Sequence, residues 1–195
     1  IEKIKYLINE KNIKPCEILV ISFTNKSVND LKRKIDYKID IMTFHKLAIS
    51  ILDKKHTQYS LVSDNYLEYV TDEFFKSIDL DKRDELLKYF KEYNYDKFLE
   101  SYKFINLKKL IITLIKLYKT NNKTKDDIKK LFLKDNFLTK YAYVVKCVYE
   151  NELKSSGKYD FDDLIIKATE SLDKDLGYKY IIIDEFQDTS LIRFN

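Results

Sequence analysis

The chain has 195 residues, of which 45% are hydrophobic and 35% charged, with a mean hydropathy of -0.42. That balance excludes wholesale disorder and a helical membrane protein, and it suits one sizeable domain or one domain carrying a smaller insertion. The net charge of +4 permits nucleic acid as a partner without requiring it.

Apolar residues Ile1, Ile4, Leu7 and Ile8 fall on one helical face, so residues 1–11 are expected to form a helix. After Pro15, the run Ile18 to Phe23 is short, almost wholly apolar and rich in branched side chains. It predicts a strand covered on both faces, as in a parallel sheet. Thr24 and Asn25 offer cap oxygens for a helix through about Ile35. Ile39 to Thr43 alternates and predicts a second strand, and Phe44, Leu47, Ala48, Ile51 and Leu52 continue as a helix. Alternation of strand and helix is the α/β signature.

From Asp53 to Ser155 the pattern predicts helices and no strand. Leu67, Val70, Phe74 and Ile78 recur at helical spacing, Ile105 to Lys119 is a strongly apolar helix, and Leu138 to Lys154 is a long one ending near Gly157. Thr124 and Asp127 have the spacing of a capping box, with Asp in place of the usual Glu. Aromatics such as Phe74, Phe75, Phe90 and Tyr143 are expected in the core. The α/β pattern then returns. Asp160 can cap a helix through Leu172, and Tyr180 to Ile183 predicts a buried strand that ends in Asp184 and Glu185.

Charge is uneven. Residues 103–134 hold ten lysines against two aspartates, and residues 150–195 hold eleven acids against six bases. The lysines are either solvated helix faces or a contact patch for nucleic-acid phosphates, with Lys108 and Lys109 as its candidates. Cys16 and Cys147 make neither a disulfide framework nor a zinc spacing, which suits a reducing cytoplasm. The longest apolar runs are far short of the ~20 residues of a spanning helix. With glycine only at 157 and 177, the chain has no GxxxxGK[ST] phosphate loop and no GxGxxG.

The chemistry concentrates after the last strand. An apolar strand that delivers two carboxylates to its C-terminal tip places them where ligands bind in open α/β sheets. The first, Asp184, can hold magnesium directly or through water, and the second, Glu185, can orient and deprotonate an attacking water. Strand tips also end in acids for solubility alone. The extension Phe186-Gln187-Asp188-Thr189-Ser190 is what makes the pattern specific.

Asp184 to Thr189 resembles motif II of the UvrD/Rep/PcrA group of superfamily 1 DNA helicases. Ser22-Phe-Thr-Asn-Lys26 resembles their motif Ia, Thr43-Phe44-His45 with Leu47-Ala48 their motif Ib, and Tyr159 to Leu164 their motif Ic. The four occur in the family's order and at about its spacing, and the helical insertion between Ib and Ic occupies the place of subdomain 1B. The motif Ic pairing is similar to the helicase IV-type branch. Ser22 stands where the family has Thr, and Ser27-Val28 where it has Ala-Ala.

The resemblance implies a partial RecA-like parallel-sheet domain 1A, residues 1–53 and 156–195, with an all-helical insertion at 54–155. It implies an ATP- and Mg2+-dependent enzyme moving 3′ to 5′ on single-stranded DNA and at duplex junctions. It assigns Asp184 to the metal, Glu185 to the catalytic base, and Gln187 and Asp188 to coupling the nucleotide site to its neighbours. It assigns Phe23 to stacking on a DNA base, and Thr24, Asn25, Thr43 and His45 to contacts along the DNA. The absence of the phosphate loop, and a start at Ile1 instead of Met, make the chain an expected fragment. Alone it is expected to be inactive, and to need the remainder of the same chain. Two other readings are a helicase-nuclease subunit of a recombination complex and a non-catalytic DNA-binding or interaction module.

Overall fold

The computed structural model describes residues 1–55, 58–132, 136–172 and 176–194. In chain order these form α1 (Glu2–Asn9), β1 (Ile18–Ser22), α2 (Asn25–Lys34), β2 (Asp40–Thr43), α3 (Phe44–Lys54), β3 (Ser60–Leu61), α4 (Tyr66–Ser77), α5 (Leu80–Phe90) and α6 (Tyr95–Leu99). There follow α7 (Tyr102–Thr120), α8 (Lys125–Phe132), α9 (Asn136–Ser156), β4 (Lys158–Tyr159), α10 (Phe161–Glu170), β5 (Tyr180–Ile183) and α11 (Leu191–Phe194). The chain divides into two compact units, Ile1–Gln58 with Phe161–Asn195, and Tyr59–Asp160.

The first unit is α/β. Its sheet is parallel in the order β2-β1-β5, with Val20 opposite Ile41 on one side and Ile182 on the other. All five residues of β1 are buried, as its unbroken apolar run requires of a central strand. Ile18 and Val20 pack with Ile4 and Leu7 of α1 and Val28 of α2. Ile21 belongs to the opposite face, with Phe44 and Ala48 of α3 and Ile165 and Ala168 of α10. Helices α2 and α3 both begin at a hydroxyl cap: Thr24 Oγ1 accepts from the Ser27 N–H at 3.0 Å, and Thr43 Oγ1 from the Lys46 N–H at 3.2 Å.

One expectation fails in this unit. β5 is not buried, because Tyr180 is 38% exposed and Ile181 56%. Among the described residues β5 pairs only with β1, so its outer edge and part of one face are open. An apolar run identifies a strand but not its place in the sheet.

The second unit is helical around α7 and α9, with Phe75, Ile111, Ile115, Ile128, Ala142 and Val145 fully enclosed. The capping box forms as expected. Thr124 Oγ1 accepts from the Asp127 N–H at 3.2 Å, and Asp127 Oδ2 accepts from the Thr124 N–H at 3.1 Å. Gly157 follows α9 with φ of +63°, the left-handed residue that ends many helices. Phe75 is buried and Phe74, Phe90 and Tyr143 are packed against the core. The unit does contain a strand that hydrophobic periodicity could not find. β3 is two residues long and pairs in parallel with β4, Ser60 opposite Lys158 and Leu61 opposite Tyr159. Two residues carry no period. No helix among the described residues is long and apolar enough to cross a membrane.

Candidate functional site

Because β1, β2 and β5 run parallel, their C-terminal ends meet at one edge of the sheet. Ser22 lies opposite Thr43, and Ile21 opposite Ile183. Three of the four motifs therefore converge there from positions up to 162 residues apart. The pairing of β1 with β5 runs on past the strand, since the Asp184 N–H donates to the Ile21 carbonyl at 2.8 Å. Ser22, 2% exposed, donates its hydroxyl to Asp184 Oδ2 at 3.2 Å. That contact fixes the rotamer of the carboxylate at the strand tip.

Glu185 turns the chain. Its φ of 53° and ψ of 49° place a residue with a side chain in the left-handed region. Such a conformation costs of order 1–3 kcal/mol and persists where surrounding structure imposes it, frequently at functional sites. The 3-10 turn Phe186–Asp188 imposes it here, with the Asp188 N–H on the Glu185 carbonyl at 2.9 Å and the Thr189 N–H on the Phe186 carbonyl at 3.0 Å. The Glu185 carboxylate is exposed and accepts from Gln187 Nε2. Gln187 is thus brought onto the candidate base, while the Asp188 side chain is exposed and touches the site through its backbone.

On the other side of Ser22, Phe23 is half-buried, with its ring 5.5 Å from that of Phe44. Thr24 and Asn25 are exposed at the start of α2. Thr24 combines its capping bond with a hydroxyl contact to Ser27 Oγ at 2.9 Å. Thr43 is only 8% exposed, and its oxygen serves the cap of α3, so capping accounts for it before any DNA contact does. His45 packs edge-on against Phe161 at 5.0 Å, and its Nε2 is buried without a hydrogen-bond partner. Burial holds its pKa below the usual histidine value, the Arg193 charge adds to that, and Asp162 opposes it. At neutral pH the ring is therefore uncharged, and any phosphate contact it makes is a hydrogen bond and not a charge pairing.

The lysine candidates belong to the helical unit. Lys108 Nζ pairs with Glu68 and Asp72, both at 3.0 Å, and its side chain is 16% exposed. These two carboxylates neutralise it, which is the reason it is not displayed as a phosphate contact. Lys109 on the next position of α7 is exposed.

Residues that carried no sequence signal complete the site. Arg193 of α11 places its guanidinium 5.8 Å from the Phe23 ring centroid and 3.9 Å from Asp162 Oδ1. Nothing at its position in the sequence marks it, because its neighbours are assembled from β1, α3 and α10.

The donor set suits nucleotide chemistry in part. Carboxylate oxygens at a strand tip are the hard ligands magnesium takes. Among the described residues no group of three or more His, Cys, Asp or Glu side chains could hold a metal. A magnesium ion on Asp184 would thus draw the rest of its shell from water and phosphate, its habit in nucleotide sites. The glycine-rich loop that would cradle those phosphates is not in this sequence.

A family model described as the UvrD/REP helicase N-terminal domain matches residues 1–195. The chain is 29% identical over 211 residues to a probable DNA helicase II homolog of Mycoplasma capricolum subsp. capricolum, covering 99% of this chain and 27% of that protein. It is 27% identical over 214 residues to the ATP-dependent DNA helicase PcrA of Staphylococcus epidermidis, covering 98% and 26%. A probable DNA helicase II homolog of Rickettsia conorii is 27% identical over 208 residues, with 98% and 29% covered. The chain spans about a quarter of the length of these curated relatives.

Proposed function

The chain belongs to the UvrD/REP helicase N-terminal domain family, and on that premise we propose that it supplies the hydrolytic carboxylates and part of the DNA track of an ATP-dependent helicase. That enzyme moves 3′ to 5′ along single-stranded DNA and works at duplex junctions. The α/β unit corresponds to subdomain 1A and the helical unit to 1B. ATP, when bound, would supply the electrophilic γ-phosphate, and a magnesium ion would polarise it. Asp184 would hold the metal, and Glu185 would orient the attacking water and take its proton. Gln187, on the Glu185 carboxylate, keeps that side chain aimed. Phe23 stacks on a base, and Thr24 and Asn25 follow the backbone without reading sequence.

The observation that carries this reading is the Ser22 to Asp184 hydrogen bond. It joins the motif that meets DNA to the motif that meets the metal, across one pair of adjacent parallel strands. A translocase needs such a link, since hydrolysis must be felt at the strand being moved. Neither a helicase-nuclease subunit nor a non-catalytic module is favoured by any contact in the site. This sequence holds no glycine-rich loop with a following lysine to cradle the phosphates. Positioning supplies most of phosphoryl-transfer catalysis, so the isolated chain is inert.

The test is made in the full-length protein. Glu185→Gln keeps size and hydrogen bonding but deletes the base. It should abolish DNA-stimulated ATP hydrolysis while nucleotide binding stays near that of the parent. Unchanged turnover would remove Glu185 from the catalytic role.

A further inference from the structure

Arg193 is the one guanidinium at the Phe23 end of the site among the described residues, and neither the sequence motifs nor the mechanism above use it. Its side chain is 20% exposed, which is unusual for arginine outside a paired or functional setting. Two features of its setting matter. At 3.9 Å, its contact with Asp162 is a charge pairing too long for a hydrogen bond, so this carboxylate attracts the guanidinium without taking its hydrogen-bond donors. Its charge also lies against the Phe23 ring at 5.8 Å, an arrangement that holds a planar cation beside an aromatic face.

Around it the structure leaves polar groups unsatisfied. His45 Nε2, Thr189 Oγ1 and Ser190 Oγ are buried without a hydrogen-bond partner. Ser190 is the residue whose carbonyl accepts the Arg193 N–H at 3.0 Å, and His45 feels the Arg193 charge. Buried polar groups are ordinarily paired, and unpaired ones call for an explanation. An anion drawn to the guanidinium would provide acceptors for these donors.

We propose that Arg193 is a further single-stranded DNA contact, its guanidinium binding a backbone phosphate beside the nucleotide whose base stacks on Phe23. The proposal rests on the DNA-binding reading of Phe23 given above. Arginine fits the task because its flat fork presents several donors at once, where lysine presents a point charge. Asp162 then acts as a keeper. Without DNA it holds the cation near Phe23, and the phosphate replaces it as the closer partner when DNA arrives.

The test is fluorescence anisotropy of a labelled oligothymidylate with the chain, titrated at several salt concentrations. Each phosphate contact on single-stranded DNA contributes about 0.7 to the slope of log affinity against log salt. Arg193→Ala should weaken binding several-fold and reduce the slope by about that amount. Arg193→Lys should recover the slope but only part of the affinity. Phe23→Ala should weaken binding with the slope unchanged.

Because Arg193 also lines an apolar cavity, its replacement could harm folding. Asp162→Asn covers that case, since it removes the competing carboxylate and should tighten binding. A fully folded Arg193→Ala with parental affinity and slope would overturn the proposal, as would an Asp162→Asn that binds no better than the parent. If Phe23→Ala weakens binding and the Arg193 variants do not, only the arginine assignment falls. If the parent chain shows no binding at all, the DNA reading itself falls.

Discussion

His45 illustrates how a residue in a recognisable motif can be constrained to one chemical form. Its ring lies against Phe161 and within reach of the Arg193 charge, and both circumstances favour the neutral imidazole. The folded-state pKa is therefore below the unfolded value of about 6.5. Above that pH both states are neutral and the histidine contributes no pH dependence. As pH falls below it, the unfolded chain takes up a proton that the folded chain refuses, so stability is lost towards the folded pKa. Urea unfolding followed from neutral to mildly acid pH should show this loss in the parent and not in His45→Gln. Identical pH dependence in the two proteins would show that the ring titrates freely. Ser22 makes the complementary point. Its hydroxyl is enclosed, and in place of a solvent contact it has the Asp184 carboxylate.

At the scale of elements, ion pairs hold the helical unit unequally. Lys119 of α7 has a side chain 6% exposed, and it pairs with Asp160, 18% exposed, which also accepts the Tyr149 hydroxyl at 3.0 Å. The pair fastens α7 and α9 to the segment just after β4. Lys140 of α9 reaches Glu85 of α5 at 2.9 Å, with side chains 46% and 39% exposed. Breaking a buried pair leaves a carboxylate without its cation and costs about 3–5 kcal/mol, while exposed pairs contribute about 0–1 kcal/mol. Lys119→Ala should thus lower the unfolding free energy by about 3 kcal/mol, and Lys140→Ala by less than about 1 kcal/mol. Equal losses in chemical denaturation would contradict the distinction that burial draws.

These elements also show where sequence reading reaches its limit. Periodicity located α7, α9 and the three strands of the sheet, because each is long enough to express a repeat or an apolar run. Local chemistry located the caps at Thr24 and Thr124, which need only residues within three positions. The Asp184–Glu185 tip was legible for the same reason. Pairings set by the tertiary fold were not. The two-residue β3 and β4, the neutralisation of Lys108 by Glu68 and Asp72, and the approach of Arg193 to Phe23 depend on residues 36 or more positions apart, and no window along the chain contains them.

Across the whole molecule, the feature with most consequence for handling is the open flank of the α/β sheet. Ile181 is 56% exposed on β5, and Ile181 and Ile183 line a largely apolar cavity of about 230 Å3 with Leu47, Ile165, Leu176 and Ile192. Among the described residues the outer edge of β5 has no neighbouring strand, so its backbone N–H and C=O groups are available for pairing. An unpaired edge beside exposed branched side chains is a template for association, and natural proteins commonly guard such edges with charge. None is present between Tyr180 and Ile183. The 195-residue chain should therefore self-associate with rising concentration through this edge. Ile181→Lys should suppress it by placing a charge where two edges would meet, and the core should be little affected because the side chain is mostly in solvent. Light scattering coupled to size exclusion measures both. A parent that stays strictly monomeric at high concentration, or an Ile181→Lys variant that associates as strongly as the parent, would show that the edge is not the sticky surface.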